Sequence, residues 1–158
     1  TEYTKQACAI MANLIEKYRL TQKRIRKIFD PYTSKLCPSC PQPCCIKPTK
    51  VRELDVLLAN ACGYSLPSAN ESISEMVQAG IEALTGRYHE TEQIPCDYLV
   101  NERCAFPDDL RPFECTRWIC SYIRKEMSPS DMRELRRLLH RLGVLRRAIE
   151  DIVMPRRK

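Results

Sequence analysis

The sequence predicts an all-α protein, a small helical domain interrupted by two irregular cysteine-rich loops. Apolar residues recur at three- and four-residue spacing through most of the chain. No segment of useful length alternates apolar and polar residues, as a half-buried strand does. The two stretches without helical spacing are rich in proline and hold most of the ten cysteines. These observations together favour helices joined by cysteine-bearing loops.

Size and composition are those of one ordinary domain. A chain of 158 residues with 44% hydrophobic content can bury one core, so we expect a single domain over residues 1–158. Its longest apolar patch, Val56–Cys62, is too short to span a membrane and contains Asn60, so no membrane association is expected. Residues 1–6 lack the pattern of a secretory signal. We therefore expect a cytoplasmic protein with reduced thiols.

The N-terminal part of the chain is predicted to be helical. Residues 5–19 place apolar side chains on one helix face. The basic run that follows keeps helical spacing until Pro31, where we expect the helix to stop, since proline lacks an N–H. Residues 34–50 contain four of the 11 prolines. This density predicts a stiff loop without regular structure.

Helical spacing returns in the middle of the chain. It runs from Val51 to a stop near Gly63, and again over residues 73–84. Residues 90–113 are interrupted by proline and predicted to be irregular. A further helix is predicted over residues 115–127.

The last segment, 129–154, is predicted to be a basic amphipathic helix. Ser128 is its expected N-cap and Pro129 its first residue, and a long apolar stripe follows, with Gly143 as a weak point. Most of the formal charge of +6 lies here and beyond. A basic helix can contact nucleic acid or an acidic protein, but a solvated face explains the pattern more simply.

Eight cysteines form two sets of four, which span the cysteine-rich region 37–120. They are Cys37, Cys40, Cys44, Cys45, Cys96, Cys104, Cys115 and Cys120. Disulfides are one interpretation, but adjacent Cys44 and Cys45 cannot bridge each other without strain, and a cytoplasmic chain keeps thiols reduced. Catalytic thiols are another, but a redox CxxC normally follows a strand, and none is predicted here.

Metal binding accounts best for these cysteines. Two thiolates separated by two residues in a tight loop can reach one metal, and the surrounding prolines order that loop before the metal arrives. Cys44 and Cys45 point in different directions, so they serve different centres or only one of them is a ligand. Cys8 and Cys62 are predicted to be buried helix cysteines, and His89 and His140 ordinary surface residues.

Ligand count does not separate zinc from iron. A structural zinc site and an iron–sulfur cluster each take four thiolates. Four thiolates on a divalent metal carry a net charge of about −2, so the basic residues in part compensate for the thiolates. Arg103, Arg111 and Arg117 are candidates for this role. Five aromatic residues could shield a centre from water or form the core under the loop: Tyr98, Phe106, Phe113, Trp118 and Tyr122.

The cysteine spacing resembles that of a bacterial zinc- or iron-chelating domain family described by its CxxCxxxCC motif. Cys37, Cys40, Cys44 and Cys45 match that motif, and Arg111 and Pro112 ahead of Cys115 match a second signature of the family. The resemblance covers residues 37–120, about half of the chain. It implies a metal-chelating protein, with iron–sulfur favoured slightly over zinc.

Two functional hypotheses follow. The first is an iron–sulfur protein that moves or senses electrons with an unidentified redox partner. The second is a zinc-stapled binding module whose basic C-terminal helix contacts nucleic acid or an acidic protein. An enzyme that uses its metal as a Lewis acid needs an open coordination position, which a full thiolate set does not leave. No catalytic residue is therefore predicted.

Overall fold

The computed structural model describes residues 1–40, 51–67, 96–101 and 103–154. Within them lie five α-helices and one two-stranded ribbon: α1 Glu2–Leu36, α2 Glu53–Ala61, β1 Leu99–Val100, β2 Arg103–Cys104, α3 Phe113–Arg117, α4 Ser121–Glu126 and α5 Pro129–Val153. Short 3-10 helices occupy Cys37–Ser39 and Asp108–Leu110. The predicted all-α class is confirmed. Over these ranges, none of the helices has the length and apolar content that crossing a membrane requires.

Helix α1 continues through Pro31, so the predicted stop at this residue is wrong. Proline in a helix interior costs about 3 kcal/mol because it removes one hydrogen bond and crowds the preceding turn. Contacts beyond Pro31 offset this cost. The Tyr32 hydroxyl lies 2.5 Å from the Asp131 carboxylate and accepts the Ser128 N–H at 3.1 Å. Leu36 packs against the core. The last turn of α1 is thus held by tertiary contacts that local spacing does not reveal.

The predicted C-terminal helix is confirmed as α5, and it starts as its sequence indicates. The Ser128 hydroxyl accepts the Asp131 N–H at 3.1 Å, and Pro129 stands in the first turn. The apolar stripe buries five residues against the rest of the protein: Leu135, Leu138, Leu142, Leu145 and Ile149. Gly143 does not interrupt the helix. Each fully buried leucine or isoleucine stabilises the fold by about 1.5–3 kcal/mol.

Helices α1 and α5 run antiparallel and form the centre of the core. The contact of Tyr32 with Asp131 joins the end of α1 to the start of α5. Tyr18, Ile25 and Phe29 of α1 pack in the same cluster as the buried stripe of α5. Helix α2 adds Leu54 and Leu58. The smaller elements complete the cluster with Leu110, Ile123 and Met127.

The segment predicted as one helix over 115–127 is two short helices, α3 and α4. The backbone between them is extended at Trp118, with φ −73° and ψ 121°. Cys120 then caps α4, since its sulfur accepts the Ile123 N–H at 3.5 Å. The chain therefore turns at the position of a candidate ligand. The helix predicted over 73–84 lies outside the described residues.

A short ribbon of β1 and β2 replaces part of the region predicted to be irregular. Leu99 pairs with Cys104 and Val100 with Arg103 in antiparallel register. Asn101 in the turn has a φ of 49°, a left-handed conformation that asparagine adopts more readily than most residues. Strands of two residues are too short to show alternation, so the sequence pattern could not reveal them.

Candidate metal centre

The structure describes six of the eight candidate ligands. They are Cys37, Cys40, Cys96, Cys104, Cys115 and Cys120. Cys44 and Cys45 lie outside the described residues. Cys37 and Cys104 are exposed, and the other four are partly buried. The thiols are therefore placed near the surface, where a metal could reach them.

The first set of thiols combines residues from both cysteine groups of the sequence. Cys37 starts the 3-10 helix after α1, and its carbonyl accepts the Cys40 N–H at 3.2 Å. Cys120 is the N-cap of α4, which contacts α1, and Lys35 in the last turn of α1 lies 3.9 Å from Glu126 of α4. Burial raises the pKa of the Cys37 thiol, and the charges of Cys120 and Cys40 raise it further. We call these three residues the helix-end thiols.

The second set lies between the ribbon and α3. Cys96 precedes β1, where its carbonyl accepts the Leu99 N–H at 3.0 Å, and Leu99 pairs with Cys104. Burial raises the pKa of the Cys115 thiol to about 11; Arg111 opposes the rise, whereas Cys104 and Cys96 add to it. We call Cys96, Cys104 and Cys115 the ribbon thiols.

Arg111 is positioned to act on both sets. Its charge lowers the pKa of Cys37 in one set and of Cys115 in the other. The Gln22 side chain donates to the Arg111 carbonyl at 2.9 Å, which ties this backbone to α1. Arg117, another candidate for charge compensation, instead pairs with Glu114 at 3.1 Å. Arg111 is therefore better placed than Arg117 to offset negative charge on these two cysteines.

Each set is defined by the electrostatic effect of its members on one thiol, Cys37 or Cys115, and its members are not gathered to bonding distance. Among residues 1–40, 51–67, 96–101 and 103–154, no three cysteine, histidine, aspartate or glutamate side chains are close enough to hold one metal ion. No disulfide joins two cysteines of these same ranges. The donors near each set are sulfur atoms, which suit zinc and iron–sulfur clusters.

Two cysteines outside the candidate set differ from their predicted burial. Cys8 is exposed on α1, so its prediction as a buried residue is wrong. It lies beside the apolar stripe, on a turn where neighbouring Ala9 and Ile10 are also exposed. Cys62 is half-buried at the C-terminal end of α2. His140 is exposed on α5, as predicted, and His89 lies outside the described residues.

The aromatic residues near the thiols shield this region from water only in part. Phe106 is buried and packs against Tyr98, with ring centroids 5.1 Å apart. Trp118 and Tyr122 are exposed, so these two rings do not shield the region from water. Phe113 lies under the guanidinium of Arg146, whose central carbon is 5.1 Å from the ring centroid. The aromatic cluster thus has mainly a packing role.

Two buried carboxylates were not identified from the sequence. Asp55 in the first turn of α2 pairs with Arg146 at 2.6 Å, and Asp109 pairs with Arg19 at 2.8 Å. Both carboxylates are buried, and each partner lies about ninety residues away along the chain. Asp55 at the start of a helix carried a capping signal, but nothing local indicated a partner on α5.

The remaining basic residues of α5 largely follow the solvated pattern. Arg133, Arg136, Arg141 and Arg147 are exposed, and Arg137 pairs with Glu134 at 2.6 Å. Arg146 is the exception, because its guanidinium is buried against Asp55. The basic helix is therefore partly a structural element and partly an exposed cationic surface.

Comparisons of this chain with known families, proteins and structures gave no match. No family model matches it, and neither does a curated protein or a solved structure. The resemblance to the chelating family consequently stays a prediction that rests on cysteine spacing and on the Arg111–Pro112 pair. Function has to be inferred from the residues themselves.

Proposed function

We propose that this chain is a metal-binding protein whose cysteine thiolates hold an iron–sulfur cluster or clusters, for electron transfer or redox sensing. The helix-end thiols and the ribbon thiols would each supply three ligands. Cys44 and Cys45 would supply the fourth ligand, one to each set. Adjacent side chains point in different directions, which suits a pair shared between two centres.

The observation that supports the proposal most concerns Cys120, which acts on a thiol of the first cysteine group although its sequence position is in the second. In the sequence it belongs with Cys96, Cys104 and Cys115, yet its charge acts on Cys37. We infer from this effect that Cys120 groups with Cys37 and Cys40, which would give three thiols in each of two centres. Two sets of three, with an adjacent pair of cysteines unassigned, is the arrangement expected if two four-thiolate centres form.

The electrostatics also suit bound thiolates. A burial-raised pKa keeps Cys115 a neutral thiol at pH 7 in the absence of a cation. Metal binding must therefore displace a proton, and the positive charge of Arg111 assists that change on both sides. When bound, an iron–sulfur cluster supplies one-electron chemistry at a potential set by charge and solvent exposure. The chain's own part is to hold the sulfur atoms and balance their charge.

Metal and sulfide analysis of protein purified without oxygen tests this proposal. We expect iron with a matching amount of inorganic sulfide and a visible absorption band that disappears on exposure to air. Cys37→Ser and Cys115→Ser should each lower the iron content. Cys8→Ser is the matched control, because this exposed cysteine is outside both sets. Protein that contains no metal, together with thiols that titrate as oxidised, would contradict the proposal.

Zinc without a visible band would instead support the second hypothesis, a zinc-stapled binding module. The exposed arginines of α5 give that module a cationic surface for nucleic acid or an acidic protein. Binding to nucleic acid would weaken steeply as salt is raised, because counterions are released from the phosphates. A salt titration with duplex and single-stranded oligonucleotides therefore separates the two functions.

A further inference from the structure

A cavity of about 430 Å³ lies beside the ribbon, between α1 and the segment that leads into α3. It is lined by Arg26, Arg103, Cys104, Phe106, Asp108 and Arg111. Arg26 comes from α1, and the other five residues come from the segment between residues 103 and 111. The packing of α1 against this segment therefore brings three arginines to one cavity. We call it the arginine cavity.

The charge of the arginine cavity is only partly balanced. Among the described residues, Asp108 is the one carboxylate that lines the cavity. Arg26 pairs with Asp30 at 2.8 Å on its own helix. Neither Arg103 nor Arg111 forms an ion pair with a carboxylate of the described part of the chain. Like charges that line one cavity repel, and a bound anion would relieve that repulsion.

The cavity wall is held by contacts that do not involve an anion. Gln22 is buried and donates to the Arg111 carbonyl at 2.9 Å, while the Thr116 hydroxyl donates to Gln22 at 3.0 Å. Phe106 is also buried and packs on Tyr98. The backbones that carry Arg111 and Phe106 are thus fixed before any ligand arrives. Such preorganisation lowers the entropy lost on binding.

We propose that the arginine cavity binds an oxyanion, the phosphate or carboxylate group of a small molecule. A guanidinium is planar and always charged, and its parallel N–H groups match both kinds of oxyanion. The volume admits a small molecule rather than a macromolecule. Phe106 gives the cavity an apolar wall for the part of the ligand that carries no charge.

This site is separate from the proposed metal centres in its chemistry, although it adjoins them. Cys104 belongs to the ribbon thiols and also lines the cavity. Arg103 lines the cavity and is not a candidate metal ligand. Oxyanion binding that depends on Arg103 can therefore be measured whether or not metal is present, and the two proposals can fail independently.

Calorimetric titration of the full chain with inorganic phosphate and with citrate tests the site, with sodium chloride at matched ionic strength as the reference. We expect at least one oxyanion to bind more tightly than chloride. Arg103→Gln and Arg111→Gln should each weaken that binding by about tenfold or more, because each removes a charge-assisted hydrogen-bond donor. Arg133→Gln is the matched control, an exposed arginine of α5 that does not line the cavity.

The two probes also distinguish the sources of the oxyanion. Tighter binding of phosphate would support a phosphorylated ligand, and tighter binding of citrate a carboxylate ligand. Binding no tighter than that of chloride would overturn the proposal, as would an equal loss of affinity in Arg133→Gln. If Arg111→Gln fails to fold, Arg103→Gln decides the question, because Arg103 is exposed on a two-residue strand. Metal content measured on the same samples reports separately on the proposed centres.

Discussion

The guanidinium of Arg146 lies 2.6 Å from the carboxylate of Asp55, and the two side chains are only 11% and 1% exposed. The same carboxylate accepts the Arg52 N–H at 2.8 Å and the Phe113 N–H at 3.2 Å. One buried aspartate thus joins α2, α3 and α5. Helix α3 carries Cys115, one of the ribbon thiols, so the pair helps to position that residue.

Replacement of Arg146 by methionine should strongly destabilise the protein. The variant leaves the Asp55 carboxylate buried without its cation, a change that costs about 3–5 kcal/mol in comparable buried pairs. Urea denaturation followed by circular dichroism measures the loss. Arg147→Met is the matched control, since its neighbouring guanidinium is exposed, and it should change stability by no more than about 0.5 kcal/mol. Equal losses in the two variants would mean that the pair is not buried.

Replacement of Tyr18 by phenylalanine should leave the protein as stable or make it more stable at pH 7. Tyr18 is 1% exposed, and among the described residues its hydroxyl has no hydrogen-bond partner, although Arg146 and Gln22 are near. A buried hydroxyl without a partner costs about 1–3 kcal/mol, which the variant recovers in part. Thermal unfolding measures the change. A clear loss of stability would show that the hydroxyl is bonded.

The same variant should resist alkaline unfolding. Burial raises the pKa of Tyr18 above its ordinary value of 10.0. The folded state therefore favours the neutral phenol, and its stability is retained below about pH 10 and falls as the pH rises further. Tyr18→Phe has no ionisable phenol at this position, so its stability should fall less steeply above pH 10 than that of the parent protein. Tyr3→Phe, at a residue 82% exposed, should follow the parent curve.

Alanine at position 143 should stabilise the protein by about 0.5–1 kcal/mol. Glycine in a helix interior gives the unfolded chain extra conformational freedom. A Cβ at Gly143 would lie 3.7 Å from the Phe113 ring, an ordinary van der Waals contact. Gly63→Ala is the opposite case, since Gly63 has a φ of 88° that alanine adopts only with strain. In calorimetry, the melting temperature of Gly143→Ala should lie above that of the parent protein, and the melting temperature of Gly63→Ala should lie below it.

Pairs of cysteine variants should reveal which thiols share a centre. In the proposed grouping Cys37 and Cys120 are ligands of the same centre, so the Cys37→Ser/Cys120→Ser double variant should lose no more metal than either single variant. The Cys37→Ser/Cys115→Ser double variant removes one proposed ligand from each set, so this protein should lose nearly all of its bound metal. Metal analysis of protein purified without oxygen measures these contents. Additive loss in the first pair would contradict the grouping of Cys120 with Cys37.

Local pattern was sufficient for α5. The Ser128–Pro129 start and the leucine stripe predict α5 almost to its last residue, because the cap and the apolar spacing both lie within a few residues. The same reasoning failed at Pro31, where a local breaker is outweighed by the contact of Tyr32 with Asp131. It failed again between α3 and α4, where the helical spacing hides an extended turn at Trp118.

The sequence by itself determined the all-α class, the amphipathic helices and the set of candidate cysteines, since spacing and residue type are local properties. Only the tertiary structure decided that Cys120 and Arg111 act on the pKa of Cys37, that Arg111 also acts on the pKa of Cys115, and that Arg146 reaches Asp55. Except for that of Arg111 with Cys115, each of these relationships joins residues far apart in the chain. Packing of α1 against α5 and its neighbours sets such distances, and a periodic pattern carries no information about them.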